Sequence, residues 1–431
     1  MSTSSFSDLI DARENAWMAE QEREPVDVPE YPCPRYLFRG IFAEVAELLQ
    51  KWSWEVWLGT AVALGARAHR NIHARYHGNL YGCLYGLLIA PTSFGKSVCT
   101  DTCESLLPPD YRWDTGVQSG PGLVPILADV TRDKSGKATS VESFPAALIL
   151  SEWTTLAKNL KIMHATLEQD LNLLFDGKSK WTQSRSEASK HGGGRVTIER
   201  PSLSICGTTT ESLFHEEVTS RMIRSGFLNR YLVLPGSHTK WHLFTQGAGI
   251  NYEELRYLSF PPAHSFGAGA DIWDLYEPDA LDLWRQWGVP LFEDHIMTNG
   301  SADIYKRLHT YTHKISMLYA WAEQTPRVTI DQLTCAIFII ETSRKFLANL
   351  YAEQTPELPA FLVARALLDD EILRLVGEKP GIKKAEICQR LRRNGGYSVV
   401  ASAVESLTKN GALRVELQGE RKTLKSLFLA T

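Results

Sequence analysis

No two of the seven cysteines (Cys33, Cys83, Cys99, Cys103, Cys206, Cys335 and Cys388) stand at C-x-x-C spacing, and their number is odd. A zinc ribbon and a disulfide framework are thereby excluded as the organising device. Cys99 and Cys103 would share a helix face, where two thiols without further ligands read as core packing. Long apolar stretches are missing too. No uncharged run approaches the ~18 residues of a membrane span, and no signal-type segment opens the chain. Nor is there an excess of positive charge, because 46 Lys and Arg face 50 Asp and Glu for a formal net charge of −4. Contact with nucleic acid would therefore rest on a local basic patch. These absences together predict a protein of the reducing cytoplasm that makes no use of a membrane.

At 431 residues, 44% apolar and 22% charged, the chain has the make-up of a globular protein of two or three domains. Its most informative stretch is residues 86–97, G-L-L-I-A-P-T-S-F-G-K-S. Leu87 to Ala90 reads as a short buried strand, a turn follows, and Lys96-Ser97 opens a helix over Val98 to Leu107. A triphosphate needs that order. The turn residues Pro91, Thr92, Ser93, Phe94 and Gly95, with Lys96, Ser97 and Val98 at the helix start, would cradle the phosphates of ATP. Lys96 would reach the β and γ oxygens, and the Ser97 hydroxyl would ligate Mg²⁺. Ala90 stands where the G-x-x-x-x-G-K-[ST] pattern has its first glycine, and alanine fits that turn only with a negative φ. The alternative is a chance Gly-Lys-Ser in a surface turn.

A second buried strand, Ala146 to Leu150, leads through Ser151 to Glu152. An acid at the carboxyl end of such a strand can polarise an attacking water, and Glu152 is the candidate base; the bland alternative is a strand that happens to end in Glu. Ser151 occupies the place where an Asp often holds Mg²⁺ through water. The strand Arg200 to Gly207 ends in Thr208, Thr209 and Thr210, hydroxyls that would sit near a γ-phosphate, although threonine also simply favours strands. Arg230, before the strand that ends at Pro235, and secondarily Arg224 would neutralise charge on a phosphate of the same or a neighbouring subunit.

Elsewhere the chain reads as follows. Residues 1–35 are a polar, Pro-ended flexible arm. Phe38 to Ala68 is helical, with Trp52, Trp54 and Trp57 as core. A helix covers Leu123 to Thr131, and another Thr155 to Phe175. Residues 178–195 carry Lys178, Lys180, Trp181, Arg185, Lys190 and Arg195 without clear periodicity. That suits either a mobile loop on a nucleic-acid backbone, with Trp181 stacking on a base, or a solvated charged excursion. Residues 236–270 are turn-rich. Three helices follow, over 278–288, 302–323 and 330–350; the second is core with a cationic side from Arg307, His309, His313 and Lys314, and His313 there is structural. From residue 356 three helices and a hairpin (413–417 with 423–429) form a winged helix-turn-helix, whose basic helix, including Arg392 and Arg393, would contact DNA or dock a protein.

Five stretches in this order, ending at Ser97, Glu152, Gly177, Thr209 and Arg230, resemble a family of uncharacterised P-loop ATPases of phages, plasmids and mobile elements. That family is similar to the RepA/DnaB-like hexameric helicases with a RecA-type core. The resemblance spans about residues 35–350. It implies an α/β fold with a RecA-like P-loop ATPase core (36–270, with its helical lead-in) followed by a helical region (271–355), to which the chain's own pattern adds the C-terminal winged-helix domain (356–431). It also implies a helicase- or translocase-like motor on DNA, assembled as a homo-oligomeric ring, in which Lys96 and Ser97 bind ATP-Mg²⁺, Glu152 activates water and Arg230 serves as arginine finger or sensor. The rival expectation is a DNA-binding or assembly scaffold that binds ATP and scarcely hydrolyses it.

Overall fold

The computed structural model describes residues 31–429 except 32, 93–94, 109–110, 134–137, 162–165, 186–193, 220–221, 224, 237–251, 259, 261–264, 297–306, 353–371, 373, 377, 380, 392–403, 405–407, 409–412 and 419–423. The expected contacts from Ser93, Phe94, Lys190, Arg392 and Arg393, and the secondary arginine, Arg224, therefore lie outside the described residues. The chain divides into two compact units, 1–346 and 347–431.

In the first unit two helices, α1 (Ile41–Leu48) and α2 (Trp54–Ala68), precede a five-stranded parallel sheet. Its strands are β3 (Tyr85–Ile89), β4 (Arg112–Asp114), β7 (Pro145–Leu150), β10 (Ser202–Thr209) and β11 (Leu232–Pro235), in the order β11-β3-β10-β7-β4. The chain enters at β3, jumps to the far edge, returns through β7 and β10, and crosses β3 to reach β11. Strand order thus reverses beside β3, and in open parallel sheets a crevice forms there, outside the carboxyl ends. β3, β10 and β11 are buried at every residue, as strands covered by helices on both faces are.

α2 and α3 (Lys96–Leu106) cover one face. Glycines bring them close: a Cβ on Gly59 would lie 2.4 Å from the Cys99 carbonyl oxygen, and one on Gly86 2.8 Å from Leu58. Trp54 and Trp57 are core, as expected. So are Cys99 and Cys103, which face Cys206 on β10, with 3.6 Å between the Cys99 and Cys206 sulfurs. The other face carries α4 (Thr154–Leu160), α5 (Leu167–Phe175) and α6 (Glu211–Glu217) over a cluster of Trp153, Phe214, Phe227 and Tyr231.

Several local expectations change. Thr155 to Phe175 is two helices, α4 and α5, not one. Of 123–131 only Val124–Leu127 makes an α-helical turn; β5 (Ala128–Arg132) then pairs antiparallel with β6 (Ala138–Ser143). Residues 178–195, expected to lack clear periodicity, instead contribute β8 (Lys180–Arg185) and the start of β9 (Gly194–Glu199), which pair as a ribbon. Its period of two lies in buried Trp181 and Gln183 opposite buried Val196 and Ile198. Within the turn-rich 236–270, β12 (Phe266–Asp271) pairs with β1 (Ile72–Arg75), which also pairs with β2 (Asn79–Tyr81).

The helices α7 (Pro278–Ile296), α8 (Leu308–Ala322) and α9 (Ile330–Ala352) follow. α8 meets the amino ends of β3 and β11, where the one proton of the Tyr311 hydroxyl is shared between the Tyr85 carbonyl, at 2.9 Å, and that of Arg230. Its expected cationic side is turned inward. Lys314 is buried, donates to the Cys83 carbonyl at 2.6 Å and lies over the Phe175 ring. Burial pushes its ammonium down. His313 is buried among Tyr76, Trp273, Tyr276 and Trp284, the structural role expected of it. Among the described residues no helix is long and apolar enough to cross a membrane.

The second unit contains β13 (Ile382–Lys383), α10 (Lys384–Arg390), β14 (Leu413–Gln418) and β15 (Leu424–Leu429), the strands forming one antiparallel sheet in the order β13-β15-β14. Ile372, Leu375, Val376, Ile382, Ile387, Cys388, Leu391, Val404 and Leu413 make its core. Glu386 takes both Lys379 and Arg390 in ion pairs.

Candidate active site

Three strand ends meet at the crevice. β3 runs out at Ile89, beside Thr209 of β10, and Leu150 of β7 lies beside Gly207. Ala90 continues the pairing, its N–H donating to the Thr209 carbonyl at 3.1 Å. Ala90 is not left-handed, which is the condition for alanine at this position. Its methyl is accommodated by Gly236, where an added Cβ would lie 2.3 Å from the Ala90 Cβ and 3.3 Å from an oxygen of buried Glu55. Pro91 and Thr92 are exposed. Gly95 takes the left-handed conformation (φ 70°) that precedes α3, a backbone geometry that favours glycine. Lys96 and Ser97 form the first turn of this eleven-residue helix, with Ser97 exposed, and Val98 is buried beneath them.

Across β10, Glu152 follows the end of β7. Its Oε1 accepts the Thr209 hydroxyl at 2.8 Å, the Thr154 hydroxyl at 2.8 Å and the Thr154 N–H at 3.3 Å. The two strand ends are stitched together next to it: the Thr208 hydroxyl donates to the Ser151 carbonyl at 2.7 Å, and the Trp153 N–H to the Thr208 carbonyl at 2.8 Å. Partial burial pushes the Lys96 ammonium down, while the Glu152 carboxylate acts on it in the opposite direction. The structure therefore brings Lys96, Ser97, Glu152 and Thr209 to one end of the sheet. Thr154, Gly236 and Glu55 join them; in the sequence the first is one threonine among many, and the other two have only distant partners.

Arg230 does not join them in its own subunit. It precedes β11 at the amino end of the sheet, opposite the crevice, because Leu232 pairs beside Gly86 and Pro235 beside Ile89. Its guanidinium forks onto Asp176, with Nη2 to Oδ2 at 2.8 Å and Nε to Oδ1 at 3.2 Å, and Nη1 donates to the Gly226 carbonyl. Arg307 pairs with the same carboxylate at 3.1 Å. The Arg230 side chain is only 11% exposed, so it pins structure in its own subunit. Trp181 is a correction: 3% exposed, its Nε1–H donates to Asp170 at 2.9 Å, leaving no face for a base. On the same ribbon Lys180 pairs with Glu199 on the surface, and Lys178 and Arg195 are exposed. The side chain of Arg185 is outside the described residues.

Chemically, a helix start bearing a lysine and an exposed hydroxyl suits an anion, and a fixed carboxylate facing it can accept a proton. Among the described residues no group of three or more His, Cys, Asp or Glu could hold a metal ion. This donor set fits a Mg²⁺ that uses the Ser97 hydroxyl, phosphate oxygens brought by the ligand, and water. Compared with known protein families and with curated proteins, the chain matches none of them.

Proposed function

We infer that the first unit is a RecA-like P-loop ATPase, that the second is a winged helix, and that the protein is an ATP-dependent DNA motor of helicase or translocase type. One observation carries this reading: the Lys96 turn and the Thr209-bonded Glu152 converge at the carboxyl ends of β3, β10 and β7. The strand that ends in Thr209 lies between the other two, so a γ-phosphate seated over Lys96 would meet Thr209 and a water polarised by Glu152. Mg²⁺ bound at Ser97 would supply charge neutralisation on the phosphates. In the second unit a strand–helix element and a hairpin sharing one sheet support the winged-helix reading. Seven free thiols accord with a reducing cytoplasm. Exposed Lys178, Lys180, Arg195 and Lys383 are among the described cations that DNA would meet. Action in a homo-oligomeric ring of a mobile element or phage-related process belongs to the same proposal.

A second reading has its own support. Arg230 is ion-paired to Asp176 and Trp181 is buried, which favours a nucleotide-gated DNA-binding or assembly scaffold. Calorimetry and turnover separate the two. The motor reading expects ATP-Mg²⁺ to bind, single-stranded DNA to raise turnover, and Lys96→Ala to abolish it. Binding with scant, DNA-independent turnover leaves the scaffold, and no heat from ATP-Mg²⁺ overturns both.

A further inference from the structure

We propose that Thr154 is a positioning residue for Glu152: with Thr209 it holds carboxylate oxygen Oε1, so that Oε2 is the oxygen that takes the proton from the attacking water. The inference rests on the hydrolytic reading above and deepens it. Oε1 accepts both threonine hydroxyls at 2.8 Å and the Thr154 N–H at 3.3 Å. The two hydroxyls occupy both lone pairs of that oxygen, with the N–H as a longer third contact, and proton acceptance falls to the other oxygen. The restraints come from two directions. Thr154 lies two residues on in the chain and is itself buried, whereas Thr209 reaches over from β10. Turning the carboxylate about its last bond would break both hydroxyl contacts at once, so its plane is fixed before any ligand arrives.

Among the described residues, Lys96 is a charged group that interacts with Glu152, from the other side of the crevice. In the step itself the water oxygen bonds to the γ-phosphorus as the bond from that phosphorus to the bridging oxygen breaks. ADP keeps the electron pair, and the water proton passes to Glu152 Oε2.

Thr154→Val keeps the shape and deletes the hydroxyl; Thr154→Ser keeps the hydroxyl. The proposal expects Thr154→Val to lower kcat about 10- to 100-fold with the ATP Kd and KM unchanged, and Thr154→Ser to stay within about threefold of wild type. Tryptophan-fluorescence melts confirm the fold of each variant, and Thr154→Ala replaces Thr154→Val if the latter does not fold. Wild-type turnover undiminished in Thr154→Val overturns the role of Thr154 alone. So does a loss equal in Thr154→Ser and Thr154→Val, or one that appears in Kd. A wild type that binds ATP-Mg²⁺ without turning it over overturns the hydrolytic reading and this inference with it.

Discussion

Gly236 faces Ala90 so closely that the pair makes a quantitative test of the crevice. In Gly236→Ala the new Cβ would lie 2.3 Å from the Ala90 Cβ, whereas carbon atoms rest about 3.5–4.0 Å apart. One backbone must move by more than about 1 Å to restore that distance. Both are tethered: the Gly236 N–H donates to the Ile89 carbonyl at 2.8 Å and the Ala90 N–H to that of Thr209 at 3.1 Å. Overpacking of this kind costs about 1–3 kcal/mol, and the loss of one tether adds about 1 kcal/mol. Urea unfolding followed by tryptophan fluorescence reads the first unit alone, since all 12 tryptophans precede residue 346. Ala90→Gly placed in the Gly236→Ala background removes the opposing methyl and should recover at least about 1 kcal/mol as a coupling energy. If Gly236→Ala is as stable as wild type, or the double variant recovers nothing, the account of how alanine is tolerated before the Lys96 turn is wrong.

The ion pair at the far end of the sheet gives another prediction. Arg230→Ala leaves Asp176 with Arg307 alone and should cost about 1–3 kcal/mol, read by the same unfolding assay. A variant of unchanged stability that has lost all ATP turnover would instead make Arg230 a trans-acting arginine. The buried histidines of α8 predict the pH response. Burial pushes His309 down to about 4 and His313 well below the ordinary imidazole range. The unfolded chain therefore takes up protons that the native state refuses. The contribution is intact above about pH 6.5 and is lost as pH falls towards 4, by about 1.4 kcal/mol per pH unit for each histidine. His309→Gln should flatten the stability profile between pH 6.5 and 4.5 by about one proton, measured as urea midpoints across that range; an unchanged slope would refute it.

What could be read from the chain beforehand was what is local in it. The apolar run before Ala90 and the Gly-Lys-Ser that starts α3 are contiguous, and so are the apolar strands that end near Glu152 and Thr209. Their convergence follows from parallel pairing in a sheet. The hairpin of the second unit, β14 with β15, has short-range alternation and was equally legible. The ribbon β8–β9 was not, because its inward positions include polar Gln183, which hides the period of two, and its partner strand lies across a polar stretch. Trp181 among cations looks like a stacking residue until Asp170, eleven positions earlier, is seen to take its N–H. Arg230 looks free for the same reason, its partner Asp176 being 54 residues away. Lys314 inverted the expectation most directly: a cation on an amphipathic helix is normally solvated, yet its ammonium finds the Cys83 carbonyl two residues ahead of β3. Long-range pairing of polar groups leaves no periodic trace in a single chain.

The close approach at Gly59 has a mechanical consequence. With the Cys99 carbonyl almost in contact with the Gly59 backbone, no side chain is interposed as a cushion between α2 and α3. The two helices therefore meet backbone to backbone there, and Trp57 stands two residues before that contact on α2. Its indole N–H grips the Tyr319 hydroxyl at 2.8 Å, which in turn grips the Leu37 carbonyl at 2.6 Å. These bonds tie the helix pair to the segment just ahead of α1, more than fifty residues upstream of the Lys96 turn.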